Sequence, residues 1–267
     1  MLEPLVKKTD FDSWAEYYWT YQFTLADKYL IPYLKNYIPS FDRIKVLDVG
    51  CGEGGTTAAF AKIGAECYGT DIDEHRLQKS SEIPQNKGIH FELLDVYDIN
   101  SSDTISNMKF DLIILRDVIE HLLDTSDAIS SLRKLLAEDG KIFLTFPPYN
   151  SAFGGHQQII APIPFIHWLP SFLFYNILKM FGGDEEKLSK LRHIRKVRMS
   201  ISRILKTFKI LDFQILNKTS YIMRPSFKVR YGLPIIKSNF IGSIPLIREF
   251  KISGYFLLAS LSKERKF

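Results

Sequence analysis

The clearest chemical signal in the sequence is a glycine-rich segment, VLDVGCGEGG, which contains a short apolar run. Gly50, Gly52 and Gly55 literally satisfy the G-x-G-x-x-G spacing of a dinucleotide-binding loop. Taken alone, this loop favours a pyrophosphate at the N-terminus of a helix. Asp48 favours a different ligand, because a carboxylate just before the loop would repel a pyrophosphate and attract an ammonium or a sulfonium. The combination therefore predicts a cationic, nucleotide-like ligand.

Two further segments end in carboxylates that suit the rest of such a ligand. Asp71 ends YGTD about 20 residues beyond the loop, where an acidic side chain can accept both hydrogen bonds of a ribose diol. Asp95 and Val96 end FELLDV, where they could pair with the edge of an adenine. The alternative for Asp48 and Asp71 is a structural role, capping the glycine turn or closing a surface turn. Open α/β sheets bind ligands at the carboxyl ends of their strands, which favours binding.

A regular alternation of strands and helices is needed to position these residues. We predict strands at 45–49, 66–70, 89–94, 110–115, 141–146, 210–216 and 255–260, and helices at 56–62, 74–83, 126–137 and 200–208. Repeated strand–helix units imply a mostly parallel sheet with helices on both faces. Residues 1–40 are predicted to form a helical cap on a domain spanning 41–267. Within that domain, 147–195 and 223–250 look like insertions.

Over roughly residues 44–147, the sequence resembles class I S-adenosylmethionine-dependent methyltransferases of the type 11/12 kind. The resemblance rests on four segments in this order and spacing: VLDVGCGEGG, GTDID, LLDV and FDLIILRDVIEHLLD. The resemblance implies a Rossmann-like, seven-stranded sheet whose last strand is antiparallel. It implies S-adenosylmethionine as cofactor and S-adenosylhomocysteine as product. The glycines would approach the cofactor, with Asp48 by its methionine end. The residues implied to bind it are Asp48, Gly50, Cys51, Gly52, Gly54, Asp71, Ile72, Asp95, Val96 and Arg116.

Three side chains after the fourth strand are the candidates for catalysis. Methyl transfer is an in-line displacement, so the protein mainly positions the reactants and can remove a proton from the acceptor. In RDVIEHLLD, Asp117, Glu120 and His121 are spaced to share one face of a helix. His121 is the predicted general base because its ordinary pKa lies near neutrality. The alternative is that His121 only shapes the pocket, as is common in this family.

The same residues suggest a metal site as a second hypothesis. Asp117, Glu120 and His121 offer oxygen and nitrogen ligands, and His156 follows the fifth strand at the same sheet edge. The pattern D-x-x-E-H…H is similar to the E-x-x-E-H…H site of some O-methyltransferases, with a shorter first side chain. A divalent ion at Glu120, His121 and His156 would lower the pKa of an acceptor hydroxyl.

The acceptor pocket is expected between the N-terminal helices and the segment after the fifth strand. Tyr18, Tyr149, His156 and Trp168 are its predicted lining residues. FPPY at 146–149 looks like the N/D-P-P-Y motif of amino-group DNA methyltransferases, but it follows the fifth strand instead of the fourth and lacks the leading residue. We interpret it as a rigid exit from the sheet.

The chain is an acidic half joined to a basic half. Its 267 residues carry a net charge of +5, but residues 1–150 hold 15 basic and 24 acidic side chains, whereas residues 151–267 hold 20 and 6. The basic half suggests a small or lipid-linked, anionic acceptor, with methylation at oxygen, or contact with an anionic membrane surface. RNA methylation is the alternative, although no nucleic-acid-binding module accompanies the charge. A cofactor-binding protein without activity is a third hypothesis.

Bulk features of the sequence indicate its compartment. Cys51 and Cys67 are too few for a disulfide framework and fit a reducing compartment. The start of the sequence shows no apolar signal segment. Prolines interrupt the most apolar stretch, 159–181, which we interpret as buried or interfacial. We predict a cytoplasmic protein, with peripheral contact at the inner face of the membrane as an alternative.

Overall fold

An eight-stranded sheet forms the centre of the protein, of which a computed structural model describes residues 3–262. Along the chain, the strands are β1 (Lys45–Val49), β2 (Glu66–Asp71), β3 (His90–Leu93), β4 (Phe110–Arg116), β5 (Leu136–Phe146), β6 (Phe213–Met223), β7 (Ile236–Lys237) and β8 (Gly254–Leu261). Their spatial order is β3-β2-β1-β4-β5-β8-β6-β7. The first five strands run parallel, and β8 lies antiparallel between β5 and β6. The predicted mostly parallel sheet with an antiparallel last strand is confirmed.

The predicted number of seven strands was wrong by one. The additional strand, β7, has only two exposed residues and pairs antiparallel with the outer edge of β6. It lies within 223–250, where the sequence suggested an irregular insertion. A two-residue edge strand buries no side chain, so it leaves no periodic pattern in the sequence.

The centre of the sheet explains why its strands read as continuous apolar runs. In β4, Leu112, Ile113, Ile114 and Leu115 are all fully buried. Successive side chains of a strand point to opposite faces. Accordingly, Ile113 and Leu115 pack in one hydrophobic cluster, and Leu112 and Ile114 pack in another across the sheet. Full burial of such a side chain contributes about 1.5–3 kcal/mol, so the two clusters hold the carboxyl edge of the sheet firmly in place.

Eleven helices cover the sheet in the part of the chain that the structure describes. They are α1 (Trp14–Leu25), α2 (Ile31–Leu34), α3 (Gly55–Ala61), α4 (Glu74–Glu82), α5 (Thr125–Leu135), α6 (Ser171–Met180), α7 (Glu185–Val197), α8 (Ile201–Ile210), α9 (Pro225–Tyr231), α10 (Asn239–Ser243) and α11 (Pro245–Lys251). Several begin at side chains that accept a hydrogen bond from the first turn, among them Asp73, Asp124 and Ser200. None is long and apolar enough to cross a membrane.

Two predicted boundaries differ from the structure for local reasons. The helix predicted at 126–137 ends at Leu135, and β5 begins at once at Leu136, which pairs with Phe110. The strand predicted at 210–216 begins only at Phe213, because α8 continues to Ile210 and the chain turns at Asp212 in a left-handed conformation.

The segment after β5 folds over the sheet edge with a small core of its own. Phe174 and Leu178 of α6 pack against Leu188 and Leu191 of α7, all of them buried. We call residues 147–198, which include both helices, the lid. At the other end of the chain, α1 packs on α3, so the N-terminal helices lie directly above the glycine-rich segment.

Candidate active site

A cavity of about 1990 Å³ opens at the carboxyl edge of the parallel strands. Pockets for one small molecule span roughly 300–1000 Å³, so this cavity has room for two ligands side by side. The ends of β1 to β4, the helix α1, the lid and α9 all contribute to its wall. The predicted site residues on the wall are Tyr18, Gly50, Asp71, Ile72, Asp95, Val96, Asp117, His121 and His156.

The glycine loop approaches the cavity with its bare backbone. Gly50 and Gly52 have φ angles of +71° and +57°, which side-chain-bearing residues rarely adopt. A Cβ atom at Gly50 would also collide with Val118, and one at Gly52 would collide with the guanidinium of Arg76. The loop therefore needs glycine at both positions, and hydrogen bonds from its amides to Thr70 and Asp71 hold its backbone in place.

Gln22 of α1 holds this loop from above, a contact that sequence reasoning missed. Its side chain is fully buried, donates a hydrogen bond to the carbonyl of Cys51 (3.2 Å) and accepts one from the amide of Gly55 (3.1 Å). Trp19, one turn earlier, donates to Asn86 (2.8 Å). The position of Gln22, a polar residue among the aromatic residues of α1, is the sequence signal that could have indicated this contact.

Asp71 lies where the resemblance implies a ribose. Its carboxylate accepts hydrogen bonds from the amides of Gly52 (2.7 Å) and Asp73 (3.0 Å). Arg76 stands 3.9 Å away and forms a two-point ion pair with the buried Glu53. The carboxylate is therefore fixed in orientation, and its remaining lone pairs face the cavity and can accept a diol.

Asp48 lies behind the loop and not on the cavity wall. It is 2% exposed, and its carboxylate accepts a hydrogen bond from the hydroxyl of Thr57 (2.7 Å). Burial raises its pKa to about 6, although the Thr57 hydrogen bond and nearby Arg116 oppose this shift. Arg116 is also buried and donates to the hydroxyl of Thr56 (3.1 Å). Both residues therefore act on a ligand through their charge and not by direct contact.

Four more predicted site residues lie off the wall. The structure places Cys51, Gly52, Gly54 and Glu120 near the cavity without making them part of its surface. Cys51 is buried, which raises the pKa of its thiol well above the ordinary value. The backbone of the loop, and not this thiol, is therefore the part that approaches a ligand.

The catalytic candidates do not share the face of an α-helix, and that prediction was wrong. Asp117 ends β4 in a left-handed conformation, with φ of +55°, and only a single 3₁₀ turn, Ile119–His121, follows. Asp117 receives a hydrogen bond from Arg224 (2.9 Å), and Arg116 stands 3.9 Å away on its other side. Burial raises the pKa of Asp117, but the opposing effect of Arg224 and Arg116 is larger. The pKa therefore lies below its ordinary value, and the carboxylate is ionised.

Glu120 and the two histidines form a cluster beside Asp117. Burial and the charge of Asp117 raise the pKa of Glu120 well above its ordinary value. Neither of its oxygens has a hydrogen-bond partner within the described part of the chain, and His156 stands 3.6 Å away. Desolvation holds the pKa of both His121 and His156 below the usual 6.5, so both rings are neutral at pH 7.

The predicted metal ligands lie close together without forming a metal centre. The rings of His121 and His156 are 5.5 Å apart, and Glu120 approaches His156. Among residues 3–262, no group of three or more histidine, cysteine, aspartate or glutamate side chains is arranged to hold a metal ion.

Two predicted acceptor-binding residues belong to the lid instead of the cavity. Tyr149 is buried, packs against His167 with ring centroids 5.0 Å apart, and forms part of the lid core. Trp168 is half-exposed on the outer surface, where it contacts Phe165 and Phe250. Neither side chain lies on the cavity wall, because Tyr149 is buried in the core of the lid and Trp168 packs on Phe165 and Phe250.

Several basic residues line the cavity that the sequence did not single out for binding. Arg224 and Arg230 reach it from α9, and Lys190 and His193 reach it from α7. Arg224 lies 107 residues from its partner Asp117, so no local pattern in the sequence connects them.

Acids of α7 and its cap pair with the first half of the basic run. Three ion pairs form there: Lys187 with Asp184, Lys190 with Glu186, and Arg192 with Glu185. Arg195 donates to the carbonyls of His167 and Leu169, which fixes the lid to α7. Exposed pairs of this kind contribute little stability.

Comparison with known proteins adds independent evidence. A family model described as a methyltransferase domain matches residues 47–142. The chain is 33% identical over 128 residues to the ubiquinone biosynthesis O-methyltransferase of Haemophilus ducreyi, covering 45% of this chain and 54% of that protein. It is 28% identical over 137 residues to the protein of the same name from Bartonella tribocorum, covering 49% and 51%. The chain thus spans about half the length of these relatives.

Solved structures share the fold. A putative S-adenosylmethionine-dependent methyltransferase from Listeria monocytogenes superposes with a TM-score of 0.55 at 16% identity, covering 87% of this chain and 97% of that one. Magnesium protoporphyrin IX methyltransferase from Synechocystis PCC 6803, with bound S-adenosylhomocysteine, gives 0.53 at 18% identity, covering 93% and 86%. At such identities the likeness concerns the fold.

Proposed function

Because the chain contains a methyltransferase domain within a class I S-adenosylmethionine-dependent methyltransferase fold, we propose that the protein transfers a methyl group from S-adenosylmethionine to an oxygen of a small-molecule acceptor. The observation that carries the proposal is one cavity with two ends. The glycine loop and Asp71 form one end, and Asp117 and His121 form the other. The relatives' name, ubiquinone biosynthesis O-methyltransferase, supports oxygen as the methylated atom.

The residues at the first end fit the cofactor. Gly50 brings the backbone of the loop to the cavity wall, and Asp71 offers a fixed carboxylate to the ribose. Asp95 and Val96 line the wall where the adenine would lie. When bound, the sulfonium of S-adenosylmethionine supplies an electrophilic methyl group. The carboxylate of Asp48 favours that positive charge from behind the loop.

The residues at the second end suit an acceptor hydroxyl. His121 lies on the cavity wall as a neutral imidazole and can accept a hydrogen bond from the hydroxyl. Because its pKa lies below the ordinary value, His121 does not remove the proton in advance. It takes the proton only as the oxygen forms its new bond and loses electron density. Asp117, held ionised between two arginines, stabilises the imidazolium that results.

Calorimetric titration with S-adenosylmethionine, S-adenosylhomocysteine and NAD tests the cofactor assignment. We expect both adenosyl compounds to bind and NAD not to bind. Asp71→Ala should weaken adenosyl binding at least tenfold, because a charged hydrogen-bond acceptor for the ribose is worth about 1.5–3 kcal/mol. Asp103→Asn, a change at an exposed position outside the cavity, serves as the matched control. Tight binding of NAD without binding of S-adenosylmethionine would overturn the proposal.

We also infer that the lid contacts an anionic lipid surface. Helix α6 and the residue after it expose four large apolar side chains, Phe172, Leu173, Met180 and Phe181, and the exposed Lys179 lies among them in sequence. An amphipathic helix with exposed aromatic and basic residues suits the interface of a bilayer. Co-sedimentation with phosphatidylcholine vesicles, with and without phosphatidylglycerol, tests this. The protein should pellet only with the anionic vesicles, and Phe172→Ser with Met180→Ser should remain in solution. Equal recovery of both proteins from the pellet would contradict the inference.

A further inference from the structure

The acceptor end of the cavity carries an excess of positive charge. Arg116 and Arg224 stand on either side of Asp117, so two guanidinium groups share one carboxylate. Arg230 lies on the wall of the same cavity. Its guanidinium is 5.2 Å from the centre of the Tyr21 ring, and the guanidinium of Arg116 is 5.9 Å from the centre of the same ring.

Arg230 has aromatic neighbours where a buried arginine usually has a carboxylate. Its guanidinium lies 5.2 Å from the ring of Tyr21 and 5.5 Å from that of Tyr231. Its guanidinium has a hydrogen bond with Tyr17, but its Nε atom is buried without a partner, and no ion pair of Arg230 forms within residues 3–262. A partly buried cation that lacks a counter-charge is unfavourable, which makes this position receptive to an anion.

The cofactor does not balance this charge. Its methionine end carries a sulfonium, an ammonium and one carboxylate, so S-adenosylmethionine brings a net single positive charge into the cavity. An acceptor that carries a negative group would balance this charge and would be attracted into the site. This step depends on the proposed function above.

We propose that Arg230 binds an oxyanion of the acceptor, a carboxylate or a phosphate, and thereby positions the acceptor hydroxyl near His121. A guanidinium matches such groups with parallel N–H donors in a planar fork. Tyr21 keeps its proton at all physiological pH values, since burial raises its pKa to about 12. It therefore remains an uncharged wall beside the anion and does not compete with it.

Small oxyanions alone can test this subsite, in the full chain saturated with S-adenosylhomocysteine. Inorganic phosphate is followed by phosphorus NMR line broadening, and trifluoroacetate by fluorine NMR, against sodium chloride at matched ionic strength. We expect saturable binding of at least one probe, and the probe that binds identifies the oxyanion class. Absence of saturable binding of both probes would overturn the proposal.

Two variants and a control locate the binding. Arg230→Gln should weaken the bound probe about tenfold or more, as expected for loss of a charge-assisted hydrogen bond. Arg230→Lys should retain part of the affinity, because the charge remains and the fork is lost. Arg43→Gln removes an exposed arginine far from the cavity and should change nothing. Unchanged probe binding in Arg230→Gln would refute the assignment.

Binding of S-adenosylhomocysteine to each variant separates the two proposals. If a protein binds S-adenosylhomocysteine but not the oxyanion probe, it is folded, and only the proposed anion subsite is refuted. If the wild-type protein does not bind S-adenosylhomocysteine, the proposed function fails.

Discussion

Replacing Asp48 by asparagine should stabilise the protein at neutral pH. Burial raises the pKa of Asp48 from 3.8 to about 6. The folded state therefore holds a proton between pH 4 and pH 6 that the unfolded state releases, so stability falls as the pH rises through this window. A difference of about two pKa units corresponds to about 3 kcal/mol at neutral pH. Asparagine avoids this cost and can keep a weaker hydrogen bond with Thr57, which gives an expected gain of about 1–3 kcal/mol.

Urea unfolding at pH 4 and at pH 7.5 measures this gain directly. At pH 4 the folded wild-type protein already carries a neutral Asp48, so the two proteins should differ little. At pH 7.5 the midpoint of Asp48→Asn should lie higher. Asp103→Asn, at an exposed position, should match the wild type at both pH values. A variant that is less stable than the wild type at pH 7.5, or equally shifted at both pH values, would refute the reasoning.

The same variant should lose the preference for a charged ligand. S-adenosylmethionine carries a sulfonium, and S-adenosylhomocysteine carries a neutral thioether. Because Asp48 acts through its charge, Asp48→Asn should weaken binding of S-adenosylmethionine more than binding of S-adenosylhomocysteine. Equal losses for both compounds would show that Asp48 supports only the shape of the loop.

Three further predictions concern the loop, the base and the metal hypothesis. Gln22→Ala removes the hydrogen bonds to Cys51 and Gly55 and should weaken S-adenosylhomocysteine binding about tenfold. Gln78→Ala, at an exposed position, should leave this binding unchanged. Equal affinities of Gln22→Ala and the wild type would contradict the role of Gln22. His121→Asn should lower the rate of methyl transfer about a hundredfold or more without changing cofactor affinity. In a pH profile of the wild-type rate, no rise with a pKa near 6.5 is expected, although an ordinary histidine acting as base would produce one. Methyl transfer should persist in EDTA, and recovery upon adding Mg²⁺, Mn²⁺ or Zn²⁺ would instead establish a metal site.

The parallel sheet was predictable because each of its strands is buried on both faces. FDLIIL reads as continuous apolar sequence since Leu112 and Ile113 enter different hydrophobic clusters on opposite sides of the sheet. The glycine loop was predictable for a related reason, because a left-handed backbone at Gly50 and Gly52 restricts the residue type. Both features depend on local sequence, and they lie in the part of the chain that a methyltransferase-domain model matches, residues 47–142.

The details of the second end of the cavity were not predictable in this way. A helix over RDVIEHLLD satisfies local propensity, but Asp117 adopts a left-handed conformation and is held there by Arg224 from α9. That contact joins two segments separated by 107 residues. Likewise, Tyr149 and Trp168 looked like pocket residues because the sequence does not show that the lid has a core of its own.

The acidic and the basic half of the chain meet at the contact between Asp117 and Arg224. Asp117 comes from the acidic half, whereas Arg224 and Arg230 come from the basic half. If the two halves only neutralised each other, each arginine in the cavity would face its own carboxylate. Instead, Arg116 and Arg224 share Asp117, and Arg230 packs on tyrosine rings. The basic half therefore places arginines beside Asp117 that this single carboxylate does not match one for one, and this local excess is the reason that we propose an anionic acceptor.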